Sequence, residues 1–350
     1  MKKILFTGGG SAGHVLPNIA LMEEILSTGE ADVFYMGTDG IEKHLLAQWK
    51  LPFYQIDCPK LIRGGGWNGF KQNIKIPLRF QKAQKQAKAA LQQLQPDLVF
   101  SKGGYVALPV VFAAKKLGIP CFSHESDFSA GLANRLMAKK CRRVFTSFPE
   151  TAKQLKNGKY SGAPIRNAVF SSSRAEGRKK LGITSDKPTL LIFGGGSGST
   201  LINQALRKHL KTLTSKYVLL HVCGKGNVVK TNIANYHQFE FIADMGAAYA
   251  AADMIISRAG AGALFEILAL KKPSLLIPLE GQTRGDQLQN AAYFQRRNLC
   301  HVLRQQNLDA LPSAIHEALT DKTVKEALFN SHFVSGNAVI LQELRHALNE

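Results

Sequence analysis

Ile4-Leu5-Phe6-Thr7-Gly8-Gly9-Gly10-Ser11-Ala12-Gly13-His14 decides how this chain is read. The apolar run predicts a buried strand, the glycines a tight turn, and residues 15–26 a helix. A helix start fed by such a turn points backbone N–H groups outward, and its dipole favours negative charge. The same unit recurs after Leu190-Leu191-Ile192-Phe193, where Gly194-Gly195-Gly196-Ser197-Gly198-Ser199 precedes another helical stretch. Two such units predict two similar α/β domains facing each other across a cleft, with a phosphate-bearing ligand between them.

Strand and helix patterns alternate outward from these loops. Strands are predicted over 3–7, 33–36, 98–101, 121–124 and 143–146, with helices over 15–26, 41–49, 77–94, 109–117 and 131–139. A second set of strands comes at 189–193, 217–223, 239–242, 254–257 and 274–278. Alternating elements imply parallel sheets covered on both faces. The turn at Gly162-Ala163-Pro164 divides the chain into domains 1–163 and 164–335, and a last helix within 336–350 is expected to return to the first domain.

The 350 residues suit two cores, and 45% hydrophobic with 20% charged content is that of a globular protein. The five cysteines are scattered without a CxxC pair, which points to reduced cytosolic thiols and away from a zinc or redox motif. The N-terminal apolar run is too short for a signal peptide, and no apolar run reaches membrane-span length.

The net charge of +20 is unevenly spread. Between Asp57 and Asp97 there is no acidic residue, while Lys60, Arg63, Lys71, Lys75, Arg79, Lys82, Lys85 and Lys88 accumulate. Trp67, Phe70, Ile74, Ile76, Leu78 and Phe80 are interspersed. A solvated helix face is the general reading of a charge run. Large apolar residues among the cations favour docking on an anionic membrane surface. No nucleic-acid motif accompanies the charge, so nucleic acid is not an expected partner.

Gly8, Gly10 and Gly13 fit a dinucleotide fingerprint, with Asp39 near the place of a ribose-binding acid. A nicotinamide enzyme, however, needs neither the second loop nor a histidine at the helix start. His14 reads either as a helix-end hydrogen-bonding group or as a base acting on a substrate hydroxyl. Tyr105 comes after a third glycine turn, SKGGY. His124, Glu125 and Asp127 end a predicted strand, where open α/β sheets bind ligands, or else serve helix capping with Ser129 as the cap. Glu266 lies among apolar neighbours and needs a partner, either ribose hydroxyls or a cation such as Arg258. Gln287 and Asn290 lie one helical turn apart, and their amides suit sugar hydroxyls.

The ordered set GGGSAGHVLP, SKGGY, HES…AGLANR, GAPIR, GGGSGSTLINQ, FIADM, SRAGAGALFE and DQLQNA resembles the MurG family, from about residue 3 to the C-terminus. These transferases add N-acetylglucosamine to undecaprenyl-linked muramyl-pentapeptide in peptidoglycan synthesis. The resemblance implies a GT-B fold, UDP-GlcNAc held by the second domain, and no tightly bound metal. It further implies peripheral attachment at the cytoplasmic face of the bacterial cell membrane, and cell-wall or division proteins as partners.

By motif, Glu266 takes the uridine ribose and the backbone at Ile242 the uracil edge. Gly195, Gly196, Ser197 and Gly198, with Gly262 and Ala263, face the diphosphate. Arg166, Arg258, Gln287 and Asn290 reach the donor. Ser11, Ala12, Gly13, His14, Tyr105, Glu125, Asp127 and Asn134 line the acceptor side. Phe70, Lys71, Ile74, Lys75, Leu78, Arg79, Phe80 and Lys82 form the membrane patch. The chain departs from the family at Ser11-Ala12, at Gly196-Ser197 and at Asp127, where family members commonly carry threonine-glycine, serine-glutamine and asparagine.

The reaction so implied is an inverting β-1,4 transfer with His14 as base. The alternatives are another nucleotide-sugar enzyme on this fold (a diacylglycerol glycosyltransferase or a sugar 2-epimerase) and a non-catalytic membrane-surface scaffold.

Overall fold

The computed structural model describes residues 1–60, 73–196, 198–281, 285–333 and 335–350. It divides into two compact units, Met1–Arg166 with Ser335–Glu350, and Asn167–Val334.

In the first unit β1 (Lys2–Thr7), β2 (Ala31–Gly37), β3 (Phe53–Gln55), β4 (Leu98–Ser101), β5 (Cys121–Glu125), β6 (Arg143–Thr146) and β7 (Gly158–Tyr160) form one sheet. The spatial order is 3-2-1-4-5-6-7 and every pairing is parallel. The helices are α1 (Leu16–Thr28), α2 (Ile41–Leu46), α3 (Ile76–Leu94), α4 (Ala107–Lys116), α5 (Leu132–Ala138) and α6 (Pro149–Gln154). Side chains alternate across a strand, so consecutive apolar residues serve opposite faces. Ile4 and Phe6 pack in one core with α1 and the C-terminal helix Asn337–Asn349; Leu5 packs in the other with α3, α4 and α5. The C-terminal helix contributes buried Ile340, Leu341, Leu344 and Leu348. Asn337 pins its start, accepting from the Ile165 amide at 3.1 Å and donating to the Ile165 carbonyl at 3.0 Å.

In the second unit β8 (Thr189–Phe193), β9 (Val218–Val222), β10 (Tyr236–Phe239), β11 (Met254–Ser257), β12 (Ser274–Leu276) and β13 (His301–Val302) form a parallel sheet in the order 10-9-8-11-12-13. Its helices are α7 (Arg174–Lys180), α8 (Thr200–Lys208), α9 (Leu210–Lys216), α10 (Met245–Ala251), α11 (Ala261–Ala269), α12 (Asp286–Gln295), α13 (Leu311–Thr320) and α14 (Lys322–Asn330). Both units are thus Rossmann-like. In each, strand order reverses beside the first strand, β1 or β8, and the glycine loop leaves at that switch point, where such sheets bind ligands.

Several expected elements are corrected. The strand expected over 239–242 ends at Phe239, because pairing with β9 aligns Tyr236 with Leu219 and Phe239 with Val222. The helix expected over 41–49 ends its α-helical part at Leu46 and continues as a 3-10 turn. The helix expected from residue 131 has Gly131 as its N-cap, with no side-chain cap, so Ser129 does not cap it. β3, β7 and β13 have no counterpart in the sequence reading.

Candidate functional site

In the first unit the glycine loop after β1 runs into a 3-10 turn, Ala12–His14, before α1 begins with Pro17 in its first turn. Gly10 has φ +79°, and a β-carbon there would lie 2.5 Å from the Tyr105 ring, so only glycine fits. A fully buried carboxylate organises this loop. Glu42 accepts from the Gly10 amide at 3.1 Å, the Thr38 amide at 2.9 Å and the Thr38 hydroxyl at 2.5 Å. The sequence reading missed Glu42; the signal was a carboxylate in the first turn of α2, four residues past Thr38.

His14 is half-buried. Its Nδ1 is 3.2 Å from the Gly9 carbonyl oxygen and 3.0 Å from Ser11 Oγ. A carbonyl only accepts, so the partner assigns the proton to Nδ1 and leaves the Nε2 lone pair as the acceptor. Burial, then the positive charge of Lys102, pushes the imidazole down to about 4, against the Gly9 bond and the Glu42 charge. The ring is therefore neutral near pH 7.

Lys102, the other residue the sequence reading missed, sits between a buried strand and a glycine turn and is only 2% exposed. Burial lowers its ammonium below the ordinary lysine range, while Glu125 and Asp127 act to raise it. Glu125 is buried. Its Oε1 accepts from the Asp127 amide at 2.9 Å, and its Oε2 from the Gly131 amide at 3.0 Å and Asn134 Nδ2 at 2.7 Å. Burial and the Asp127 charge push this carboxyl up, against the pull of Lys102. Asn134 Oδ1, by contrast, is buried without a hydrogen-bond partner. His124 turns away from this group toward the Gly162 carbonyl, 3.0 Å from its Nε2.

The structure therefore brings Ser11, Ala12, Gly13, His14, Tyr105, Glu125, Asp127 and Asn134 to the carboxyl end of the first sheet, on the loops after β1, β4 and β5 and at the start of α5. Arg166 closes this unit, and its charge acts on Glu23 of α1. Asp39 is ion-paired with Lys43 at 2.9 Å.

In the second unit Gly195, Gly196 and Gly198 come after β8; Ser197 lies outside the described residues. Gly198 has φ +77°, and a β-carbon there would meet the Cys223 carbonyl oxygen at 2.1 Å. Ser199 caps α8 and receives Arg258 Nη2 at 2.7 Å. The same guanidinium donates to the Ile277 and Pro278 carbonyls at 3.1 and 3.2 Å, so Arg258 ties the loop after β12 to the start of α8. Glu266, on α11 behind Gly262 and Ala263, accepts from the Tyr249 hydroxyl at 2.9 Å. Gln287 Oε1 accepts from the Leu279 amide at 2.9 Å, and Asn290 donates to the Ala259 carbonyl at 3.3 Å. Ile242 is buried in the loop after β10, beside Phe241, which is 71% exposed. Among the described residues, no group of three or more His, Cys, Asp or Glu side chains is arranged to hold a metal ion.

Of the basic patch, Phe70 and Lys71 lie outside the described residues, as do Arg63 and Trp67. Ile74 and Leu78 are 60% and 73% exposed. Lys75 and Arg79 are exposed as well. Lys82 is paired with Asp57 at 3.0 Å, and Phe80 packs edge-on against Phe112 of α4, so neither is the free group expected. Lys140 lies over the Phe112 ring at 5.8 Å. This face extends to α5, where Leu132, Leu136, Arg135 and Lys139 are exposed, a continuation the sequence reading missed. No helix among the described residues is long and apolar enough to cross a membrane.

Residues 4–146 match the glycosyltransferase family 28 N-terminal domain and residues 189–342 its C-terminal domain. The chain is 44% identical over 315 residues, 88% of each chain, to the UDP-N-acetylglucosamine–N-acetylmuramyl-(pentapeptide) pyrophosphoryl-undecaprenol N-acetylglucosamine transferase of Clostridium kluyveri. The chain belongs to glycosyltransferase family 28, in its MurG branch. An enzyme of the same name from Lachnoclostridium phytofermentans is 41% identical over 342 residues, 95% of each chain. Among solved structures, Acinetobacter baumannii MurG matches with a TM-score of 0.74 and 27% identity, covering 99% of this chain and 100% of that one. The calicheamicin glycosyltransferase CalG4 matches with a TM-score of 0.73 at 16% identity, covering 100% and 99% of the two chains, which shows the shared GT-B fold.

Proposed function

We propose that this family 28 enzyme transfers N-acetylglucosamine from UDP-GlcNAc to the 4-hydroxyl of undecaprenyl-diphospho-N-acetylmuramoyl-pentapeptide, with inversion at the anomeric carbon. The observation that carries the chemistry is His14. Its Nδ1 proton is held by Gly9, its Nε2 lone pair accepts, and the phosphate-type loop surrounds it. The acceptor oxygen bonds to the sugar C1 as the C1–O bond to UDP breaks. The hydroxyl proton passes to His14 Nε2, and UDP keeps the bonding electron pair.

In the second unit the Glu266 carboxylate takes the uridine ribose, and the backbone around Ile242 the uracil edge. The N–H groups of Gly195, Gly196 and Gly198 and the α11 start at Gly262 and Ala263 receive the diphosphate. The positive end of a helix and fixed N–H groups stabilise the charge that grows on UDP, so no tightly bound metal is required. Arg258 acts mainly by holding Ser199 and the carbonyls at 277 and 278 in place. Gln287 and Asn290 brace backbone around the donor.

The exposed leucines and cations of α3 and α5 seat the enzyme peripherally on the anionic cytoplasmic face of the membrane, where a polyprenyl acceptor resides. The test offers the purified chain UDP-GlcNAc with a soluble short-chain muramyl-pentapeptide diphosphate lipid and, separately, with diacylglycerol. A β-linked disaccharide from the first acceptor alone is expected. Transfer only to diacylglycerol, or UDP release from neither, overturns the proposal.

A further inference from the structure

His221 is a buried polar residue that the transfer reaction leaves unused. It stands within β9, where the other strand residues are all apolar, and it is fully buried. A polar ring in such a place costs free energy unless its hydrogen bonds are made.

Both ring nitrogens have partners. Nδ1 is 2.8 Å from Tyr236 Oη at the start of β10, and Nε2 is 2.9 Å from Asn203 Oδ1 on α8. Asn203 Nδ2 in turn donates to the Cys223 carbonyl at 3.0 Å. That carbonyl fixes the direction of the whole chain, because it can only accept. Asn203 turns its amide N–H to Cys223 and its oxygen to the ring. His221 therefore carries its proton on Nε2, and its bare Nδ1 accepts from the Tyr236 hydroxyl. Tyr236, His221 and Asn203 thus all donate toward Cys223. The ring fits this chain only when neutral, and burial, then the Arg207 charge, push it down to about 4.

Cys223 is where the chain meets the second glycine loop. Gly198 has φ +77°, and a β-carbon there would lie 2.1 Å from the Cys223 carbonyl oxygen and 2.8 Å from its carbon. The loop backbone therefore rests directly on this carbonyl. Asn203 lies one turn along the helix that the loop feeds, its amide donating to the Ser199 carbonyl at 2.9 Å. One side chain thus ties the helix start to the carbonyl beneath the loop.

We propose that His221 and Asn203 are positioning residues that hold the second glycine loop from beneath and so set its grip on the donor diphosphate. The inference rests on the proposed role of that loop as the diphosphate site. The Nε2 proton of His221 keeps the Asn203 amide from rotating. Without it the Cys223 carbonyl loses its fixed donor and Gly198 its fixed support. The groups assigned to uracil and ribose, at Ile242 and Glu266, lie outside this chain, so only the contribution of the phosphates should suffer.

The test compares UDP with uridine, which lacks phosphates, as ligands of the full-length protein by calorimetric and NMR titration. His221→Gln places an amide N–H near the position of Nε2 and keeps the donor to Asn203. His221→Asn reaches only the position of Nδ1 and removes that donor, and Asn203→Leu removes the link to Cys223. One lost buried hydrogen bond should lower the preference for UDP over uridine by about fivefold or more in His221→Asn and Asn203→Leu. Uridine affinity should stay close to wild type in both, and His221→Gln should retain the preference for UDP. Equal losses of UDP and uridine, or a His221→Gln as impaired as His221→Asn, overturn the proposal. Should the variants fail to fold, nitrogen-15 spectra of the histidine-labelled wild type decide. They should show Nε2 protonated and Nδ1 bare at pH 7, and the opposite tautomer overturns the proposal. A wild type that binds UDP no tighter than uridine overturns the diphosphate reading of the loop. A wild type that prefers UDP, with the preference intact in His221→Asn, overturns this inference alone.

Discussion

The Tyr249 hydroxyl donates to Glu266 Oε2 across 2.9 Å, joining α10 to α11 behind the second glycine loop. One carboxylate oxygen of Glu266 is thus fixed by the fold itself.

Glu266→Ala is expected to weaken UDP binding by about 1.5–3 kcal/mol, the usual worth of hydrogen bonds to a charged group. Isothermal titration with UDP reads this directly. Tyr249→Phe keeps the carboxylate and releases only its orientation, so its loss should be smaller, about 0.5–1.5 kcal/mol. Equal affinity in Glu266→Ala and wild type would reduce Glu266 to a structural partner of Tyr249.

His14→Ala should lower kcat by about 10²–10⁴-fold, the usual worth of a general base. UDP affinity should change little, since the loops proposed to hold the donor belong to the other unit. Steady-state kinetics paired with UDP titration separate the two effects. Turnover within a few-fold of wild type would move the base elsewhere, with Glu125 and Asp127 the next groups to test.

How much of this was legible in the sequence depends on where the information resides. Ile4-Leu5-Phe6 and Leu190–Phe193 announce strands because central parallel strands are apolar on both faces, and a glycine turn ends each of them. β3, β7 and β13 are edge strands of two or three residues without an apolar run, so only their neighbours define them. The strand expected over 239–242 lies three residues too late, because register is set by β9, which pairs with Tyr236–Phe239 and leaves Phe241 exposed. His14 and Glu266 stand out in the sequence as candidates because each lies beside a glycine turn. Glu42 and Lys102 look like ordinary surface charges in sequence and become functional candidates only because the fold buries them.

Stability should fall between about pH 6.5 and pH 4. Burial and then Arg207 push His221 down to about 4, and its ring bridges Tyr236 Oη at 2.8 Å and Asn203 Oδ1 at 2.9 Å. His14 is likewise pushed down to about 4, and His124 lies well below its ordinary value. In this window the unfolded chain binds protons that the folded chain refuses, so folding is favoured less as pH drops. Urea unfolding at pH 7.0, 5.5 and 4.5 should show the midpoint falling, with a smaller fall in His221→Asn. A flat midpoint would mean that these rings are protonated at no cost in the folded state.

The exposed apolar and basic face of α3 and α5 supplies the sharpest separation of effects. Ile74 and Leu78 on the α3 side and Leu132 and Leu136 on α5 are exposed apolar groups, with Lys75, Arg79, Arg135, Lys139 and Lys140 among them. Each cation near an anionic leaflet is worth about 1 kcal/mol, and salt screens that contribution. The apolar contribution is not screened in this way. Vesicles of phosphatidylglycerol should therefore bind the wild type less tightly as salt rises, without complete release. Leu78→Ser with Leu132→Ser should lower the salt-resistant part; Arg79→Gln with Lys139→Gln should lower the salt-sensitive part. Both pairs should reduce turnover of a long-chain acceptor in vesicles and leave a soluble short-chain acceptor nearly unchanged, because none of these side chains belongs to the His14 loop. Co-sedimentation with paired kinetics makes the measurement. If both acceptors suffer equally, the face supports the fold rather than the membrane. If vesicle binding persists unchanged in both variants, attachment is carried by another surface.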